Sequence, residues 1–177
     1  MNIAIRIATA DDLEELQKIG KQTFCETFAD DNTPDNMQKY LEQNFSIAQL
    51  TTELNNYNSE FHLATIANKT IGYLKINFGA SQTELKDVTA LEIERIYVLK
   101  EFYGKEVGQL LFDKALRIAQ QKKVHYIWLG VWEMNLRAIK FYQKNGFIEF
   151  NKHIFKLGED EQTDIMMKRE VIPVRNF

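Results

Sequence analysis

Two glycines, one tyrosine and two glutamates stand where their types and spacing could do chemistry in this 177-residue chain. Gly104 and Gly108 lie between a segment rich in β-branched and aromatic residues, Leu91–Val98, and a helical pattern that starts near Lys105. Val107, Leu110, Leu111, Ala115, Ile118 and Ala119 recur in that helix at the spacing of one buried face. A helix N-terminus leaves backbone N–H groups unpaired and carries the positive end of the helix dipole. A glycine-containing loop lets a phosphate come close to those groups. Tyr103-Gly104-Lys105-Glu106-Val107-Gly108 is therefore a candidate phosphate cradle, with plain turn chemistry as the alternative. Lys105 either reaches such a phosphate or is simply solvated. Tyr142 carries a phenol with an unperturbed pKa of about 10, protonated at neutral pH and able to donate. Its other use is to pack its ring and wet its hydroxyl. Glu92 and Glu94 sit on the strand before the cradle, where a salt bridge to Arg95 or another basic residue is one use for them.

Other residue types narrow the chemistry. His62, His125 and His153 show no paired spacing with carboxylates and read as structural, so no metal site is expected. The single cysteine, Cys25, excludes an intrachain disulfide and a Cys-cluster metal site, and reads as packing. That usage suits a reducing cytosol. A formal net charge of −3 gives no nucleic-acid footprint. The N-terminus has no apolar run of signal-peptide length and no segment could span a bilayer, so a cytoplasmic protein without a membrane partner is expected. With 45% hydrophobic and 27% charged residues and only two prolines, the chain reads as one globular domain over 1–177, large enough for a real core.

These residues need elements to hold them. Ile3, Ile5 and Ile7 alternate, giving a strand over 2–8, and Thr9 with Asp12 begins a helix in capping-box fashion. Thr33-Pro34 restarts a helix that runs, with a break near Ser46, to about Leu54. Phe61–Ala67 and Thr70–Phe78 form a hairpin across Asn68-Lys69. In the next strand Leu91 and Ile93 share one alternation phase and Ile96 and Val98 the other, which suggests a β-bulge near Glu94–Ile96 or burial on both sides. After the cradle helix come a short strand at His125–Val131, a helix from Asn135 to Lys144 ended by Asn145-Gly146, and strands at Phe147–Leu157 and Thr163–Arg169 across an acidic loop, Gly158–Gln162. The order β-α-α-β-β-β-α-β-α-β-β predicts a layered α/β fold.

The cradle resembles the phosphate-binding motif of the GCN5-related N-acetyltransferases (GNAT), R/Q-x-x-G-x-G/A, with Tyr103 in the Arg/Gln place and Glu106 in a glycine place. Asn135, Ala138, Phe141-Tyr142 and Gly146-Phe147 match the family's N-x-x-A-x-x-F-Y-x-x-x-G-F signature. The chain is most similar to PaiA-type bacterial spermidine/spermine N-acetyltransferases, on LEIERIYV at 91–98, IWLGVWE at 127–133, NTPDNM at 32–37 and GEDEQTD at 158–164. The resemblance implies a mixed, mostly antiparallel central sheet with helices on both faces. It also implies a V-shaped splay between the strands at 91–98 and 125–131. Acetyl-CoA would be the co-substrate, held by the 103–108 loop, by the backbone of Ile96, Tyr97 and Val98, and by Asn135. Tyr142 would protonate the leaving thiolate, and Glu94 or Glu92 would assist amine deprotonation. The amine would be a polyamine, attacking the thioester directly in a ternary complex. Another amine, such as a protein N-terminus or a drug, or a non-catalytic acyl-CoA-sensing module, is the alternative. A polyamine carries several positive charges, and a cleft of opposite charge concentrates it. The acidic run Glu26, Asp30, Asp31 and Asp35 is thus the expected reader of the amine, with Trp132 as a cleft wall. A homodimer stays open.

Overall fold

The computed structural model describes residues 2–172. Met1 and residues 173–177, the ends of the expected 1–177 domain, lie outside the described residues. Seven strands form one sheet: β1 (Ala4–Ile7), β2 (Ser59–Ile66), β3 (Lys69–Phe78), β4 (Ala90–Val98), β5 (Tyr126–Trp132), β6 (Ile148–Leu157) and β7 (Asp160–Glu170). Their spatial order is β1-β2-β3-β4-β5-β7-β6. Every neighbouring pair is antiparallel except β4–β5. The helices are α1 (Leu13–Phe28), α2 (Pro34–Asn44), α3 (Ile47–Leu54), α4 (Val107–Gln121) and α5 (Leu136–Lys144).

The helices cover both faces, as expected. On one face, α4 and α5 bury Leu111, Phe112, Ala115 and Tyr142 against Leu74, Ile76, Leu91 and Ile93. On the other, α1–α3 bury Leu16, Phe24, Phe45 and Leu50 against Phe61, Leu63 and Tyr73. The helical break lies where it was expected: Ser46 caps α3 by accepting from the Gln49 N–H. The loop expected at Gly158–Gln162 is shorter. Gly158 takes a positive φ of 62°, so two residues turn the chain and Asp160–Gln162 join β7.

The phase slip in β4 is a bulge. Lys75 pairs with Arg95 and Ile76 with Ile93, so Glu94 is the unpaired extra residue. The bulge resets the alternation and lets Leu91, Ile93, Ile96 and Val98 all pack toward α4. A bulge also bends its strand. β4 and β5 pair only through Ala90–Glu92 with Tyr126–Trp128. Beyond that, β4 runs to Val98 along β3 and β5 runs to Trp132 along β7, so the sheet is split into the expected V.

Candidate active site

The split opens a cavity of about 780 Å³. Its walls are the diverging ends of β4 and β5, the first turn of α4, the inner side of α5, and aromatic side chains from α1, α2 and β6. Two of the backbone edges facing it are free. Leu99 N–H donates to Ile71 O at 2.9 Å, so by antiparallel alternation Tyr97 is hydrogen-bonded to Tyr73, its register partner. The N–H and C=O groups of Ile96 and Val98 then point away from β3, into the split. Of the three backbones expected to meet the cofactor, those of Ile96 and Val98 are available and that of Tyr97 is committed to β3.

The end of the cavity beside α4 suits phosphate. Leu110 N–H is the first in α4 to find an intrahelical acceptor, Glu106 O at 3.0 Å, and no side chain caps the helix. The N–H groups of Val107, Gly108 and Gln109 therefore lack intrahelical partners at the cavity wall. Gly104 needs its glycine, with φ of 73°, whereas Gly108 does not. A Cβ on Gly108 would meet only Val98 Cγ2, at 4.0 Å, so the open space there serves a ligand better than the fold. Glu106 holds the left-handed conformation (φ 64°) that a glycine would adopt freely, at a cost of roughly 1–2 kcal/mol. An arginine reaches Tyr103 from another element: the Arg137 guanidinium of α5 stacks on the Tyr103 ring, 3.4 Å from its centroid. Arg137 and Lys144 line this end, while Lys105 is exposed and lies 5.0 Å from the Phe102 ring, outside the cavity wall. Asn135 caps α5 by accepting from Ala138 N–H at 3.2 Å, and it lines the cavity.

Tyr142 is 7% exposed, its ring packed against Phe141 and Phe147, and it lines the cavity between the two ends. Burial pushes its phenol well above the ordinary value, against a smaller lowering by Arg137, so it stays protonated through the neutral and alkaline range. Among the described residues its hydroxyl has no side-chain hydrogen-bond partner, which leaves it free to donate to a ligand.

The two glutamates are not free bases. Glu94 bonds Lys75 Nζ at 2.6 Å, Asn77 Nδ2 at 2.6 Å and Arg95 at 3.3 Å, and Glu53 of α3 completes the buried network through Lys75 and Arg95. Burial alone would raise the Glu94 carboxyl, but Arg95 and Lys75, with hydrogen bonds from Lys75 and Asn77, hold it below the ordinary range. Glu92 is 2% exposed; it accepts from Thr83 N–H and Asn77 Nδ2, each at 2.9 Å, and from the Thr83 hydroxyl. Burial pushes its carboxyl up, and these bonds partly offset that. Glu92 thus pins the β3–β4 loop. Glu94→Gln is expected to lower the thermal midpoint by several degrees, because a buried ionic network that loses one partner loses about 3–5 kcal/mol. A lowered carboxyl stabilises the fold above its unfolded pKa and loses that contribution as pH falls through the folded value. The wild-type–mutant gap in melting should therefore narrow toward acid pH, and a gap that does not change with pH would show that Glu94 acts through packing instead.

The acidic run is also misplaced. Glu26 accepts from Lys100 N–H at 2.7 Å and so caps the turn after β4, and Asp30 and Asp31 sit exposed on a short turn. Neither these three nor Asp35, exposed at the start of α2, lines the cavity. Trp132 does, against Phe28 at 5.5 Å between ring centroids. The carboxylates at the far end are instead Asp164 on β7 and Glu84 of the β3–β4 loop, with His153 of β6 bonded to Glu84 at 2.9 Å. Sequence reasoning missed Asp164 and Arg137 and took His153 as structural. Alternation does carry a sign of Asp164, a charged residue in phase with the buried Met166. Among the described residues, no group of His, Cys, Asp and Glu is arranged to hold a metal, and no helix is long and apolar enough to cross a membrane.

Residues 17–147 match the family model of the acetyltransferase (GNAT) family. An uncharacterized N-acetyltransferase from the pepI 3′ region of Lactobacillus delbrueckii subsp. lactis is 37% identical over 161 residues, 91% of this chain and 93% of that protein. The spermidine N(1)-acetyltransferase of Thermoplasma acidophilum is 25% identical over 174 residues, 96% of this chain and 98% of that protein. The fold is similar to that of the PaiA N-acetyltransferase from the same organism, solved in complex with coenzyme A, with a TM-score of 0.80 at 23% identity, covering 96% of this chain and 99% of that one. With the split sheet, the uncapped α4 N-terminus and the Asn135–Phe147 signature in place, the chain belongs to the acetyltransferase (GNAT) family and is an acetyl-CoA-dependent N-acetyltransferase.

Proposed function

We propose that the protein transfers acetyl from acetyl-CoA to a primary amine of a polyamine, such as spermidine or spermine, by direct attack in a ternary complex. The observation that carries this reading is one cavity with two ends of opposite character. At one end Arg137, Lys144 and the free N–H groups of α4 would hold the phosphates of coenzyme A. At the other, Glu84 and Asp164 stand among the rings of Phe28, Tyr40, Trp132 and Phe155, a lining that suits an organic cation through carboxylates and aromatic faces. Between them the N–H of Ile96 or Val98 would stabilise the oxyanion and Tyr142 would protonate the thiolate. The Thermoplasma relative's name supports the polyamine.

Free thiol release, followed with acetyl-CoA and spermidine, spermine, a monoamine and a peptide with a free N-terminus, tests this. The polyamines should exceed the monoamine in kcat/KM by about tenfold, and added salt should shrink that margin. A peptide that outruns every polyamine would make the protein an N-terminal acetyltransferase. Coenzyme A binding with no thiol release from any amine would make it a sensing module.

A further inference from the structure

We infer that Asp164 receives the acceptor's ammonium group and takes its proton, the role that Glu92 and Glu94 are too fully bonded to fill. The inference rests on the acetyl-transfer reading above and deepens it.

Three observations meet at this carboxylate. First, the register places it in a row across three strands: Trp132 on β5, Asp164 on β7 and His153 on β6. Cross-strand partners share a face, and all three line the cavity. Second, among the described residues the Asp164 carboxylate has no hydrogen bond or ion pair, whereas Glu92 and Glu94 are tied to Thr83, Asn77, Lys75 and Arg95. Third, the strand beside it leaves room for this carboxylate. Gly130 of β5 has no positive φ and is exposed to the cavity, and a Cβ built there would lie 3.3 Å from Asp164 Oδ2. Backbone geometry does not require that glycine; the Asp164 side chain lies over it, with its Cβ at 3.7 Å and its Cγ at 3.8 Å from the same point, and a methyl group there would press on the carboxylate. The charged and titratable groups around the carboxylate are His153 on β6, Glu84 on the β3–β4 loop, and the phenols of Tyr40 and Tyr97, both of which feel its charge. Tyr97, Tyr142 and Asp164 all line the one cavity. Burial, opposed by His153 and aided by Glu84, raises the Asp164 carboxyl to about 6. That makes it a stronger base than an ordinary carboxylate, still ionised at neutral pH.

The protons balance. Asp164 takes one from the ammonium and passes it to solvent. The freed amine forms the C–N bond, leaving nitrogen positive and the carbonyl oxygen negative. As the C–S bond breaks, Tyr142 gives its proton to the sulfur, and the second nitrogen proton replaces it. The products are the amide, the thiol and one released proton.

The test uses the amine that wild type turns over best, with rates measured from pH 5 to 9. Wild-type kcat/KM should fall on the acid side with an apparent pKa of about 6. Asp164→Asn should lose ~10²–10³-fold in kcat/KM and the acid limb with it, while coenzyme A binds with unchanged affinity by calorimetry. Asp164→Glu should recover part of the rate. His153→Gln should keep the limb and move it to higher pH, because a lowering charge is gone. Gly130→Ala should depress kcat/KM by displacing the carboxylate that lies over it. Asp164→Asn within threefold of wild type, or a limb that vanishes in His153→Gln instead, overturns the inference and leaves acetyl transfer standing. Absence of transfer to any amine overturns both. Carbon-13 titration of the Asp164 carboxyl in the free protein is a readout independent of substrate, and a value below 4 also overturns the inference.

Discussion

Tyr142→Phe is expected to lower kcat by ~10²–10⁴-fold, the usual worth of general acid catalysis, with coenzyme A affinity within twofold of wild type. The change removes one oxygen. The ring still packs on Phe141 and Phe147, with centroids 5.4 and 5.6 Å away. Because the hydroxyl bonds no other side chain among the described residues, its loss leaves no buried partner unsatisfied, and the melting temperature should hold. Thiolate departure is where the proton is needed, so the loss should fall on kcat and on kcat/KM alike. The pH profile adds a second check. Burial keeps the phenol protonated far above neutrality. Wild-type activity should therefore show no alkaline decline from Tyr142 below about pH 10, and the mutant should keep the acid limb that belongs to Asp164. A mutant within twofold of wild type at neutral pH would remove Tyr142 from the acid role.

What the sequence could and could not reveal follows the range of the interactions. The bulge was legible because alternation is local: four apolar residues of β4 change phase between Ile93 and Ile96, and only an extra residue returns them to one face. The start of α4, the break near Ser46 and the helix start at Asn135 were legible for the same reason. The fate of Glu94 was not, because its partners Lys75 and Arg95, and Glu53 beyond them, converge from β3, β4 and α3. A glutamate beside an arginine reads alike whether it is a free base or a buried ion pair. The acidic run failed through direction: a count of charges near α1 does not say which way each carboxylate points, and Glu26 turns to the Lys100 backbone. Asp164 depended on register. Its place between Trp132 and His153 exists only once β7 is inserted between β5 and β6. Arg137 depended on the approach of α5 to the cradle, which brings it onto Tyr103.

Gly108 should separate stability from cofactor affinity. It is the second residue of α4, its backbone needs no glycine, and a Cβ there meets only Val98 Cγ2 at 4.0 Å. Alanine is a better helix former than glycine by roughly 0.8–1 kcal/mol, so Gly108→Ala should raise the melting temperature by a few degrees. The added methyl group nonetheless projects into the cavity beside the N–H groups of Val107 and Gln109, where a phosphate must approach closely to gain their bonds. Its coenzyme A affinity should therefore fall several-fold while the fold tightens. Gly108→Glu goes further. It adds a negative charge within a few ångströms of the phosphates, a repulsion on the order of 2–4 kcal/mol in a partly solvated site, so Kd should rise by about 30–1000-fold. The same carboxylate in the first turn of α4 favours the helix dipole, so the fold itself should not suffer. Calorimetry and thermal melting on the two variants and wild type give both quantities. Opposite movements of stability and affinity would place the phosphates at the α4 N-terminus. Unchanged coenzyme A affinity in Gly108→Glu would place them elsewhere and leave Arg137, stacked on Tyr103, without a ligand to hold.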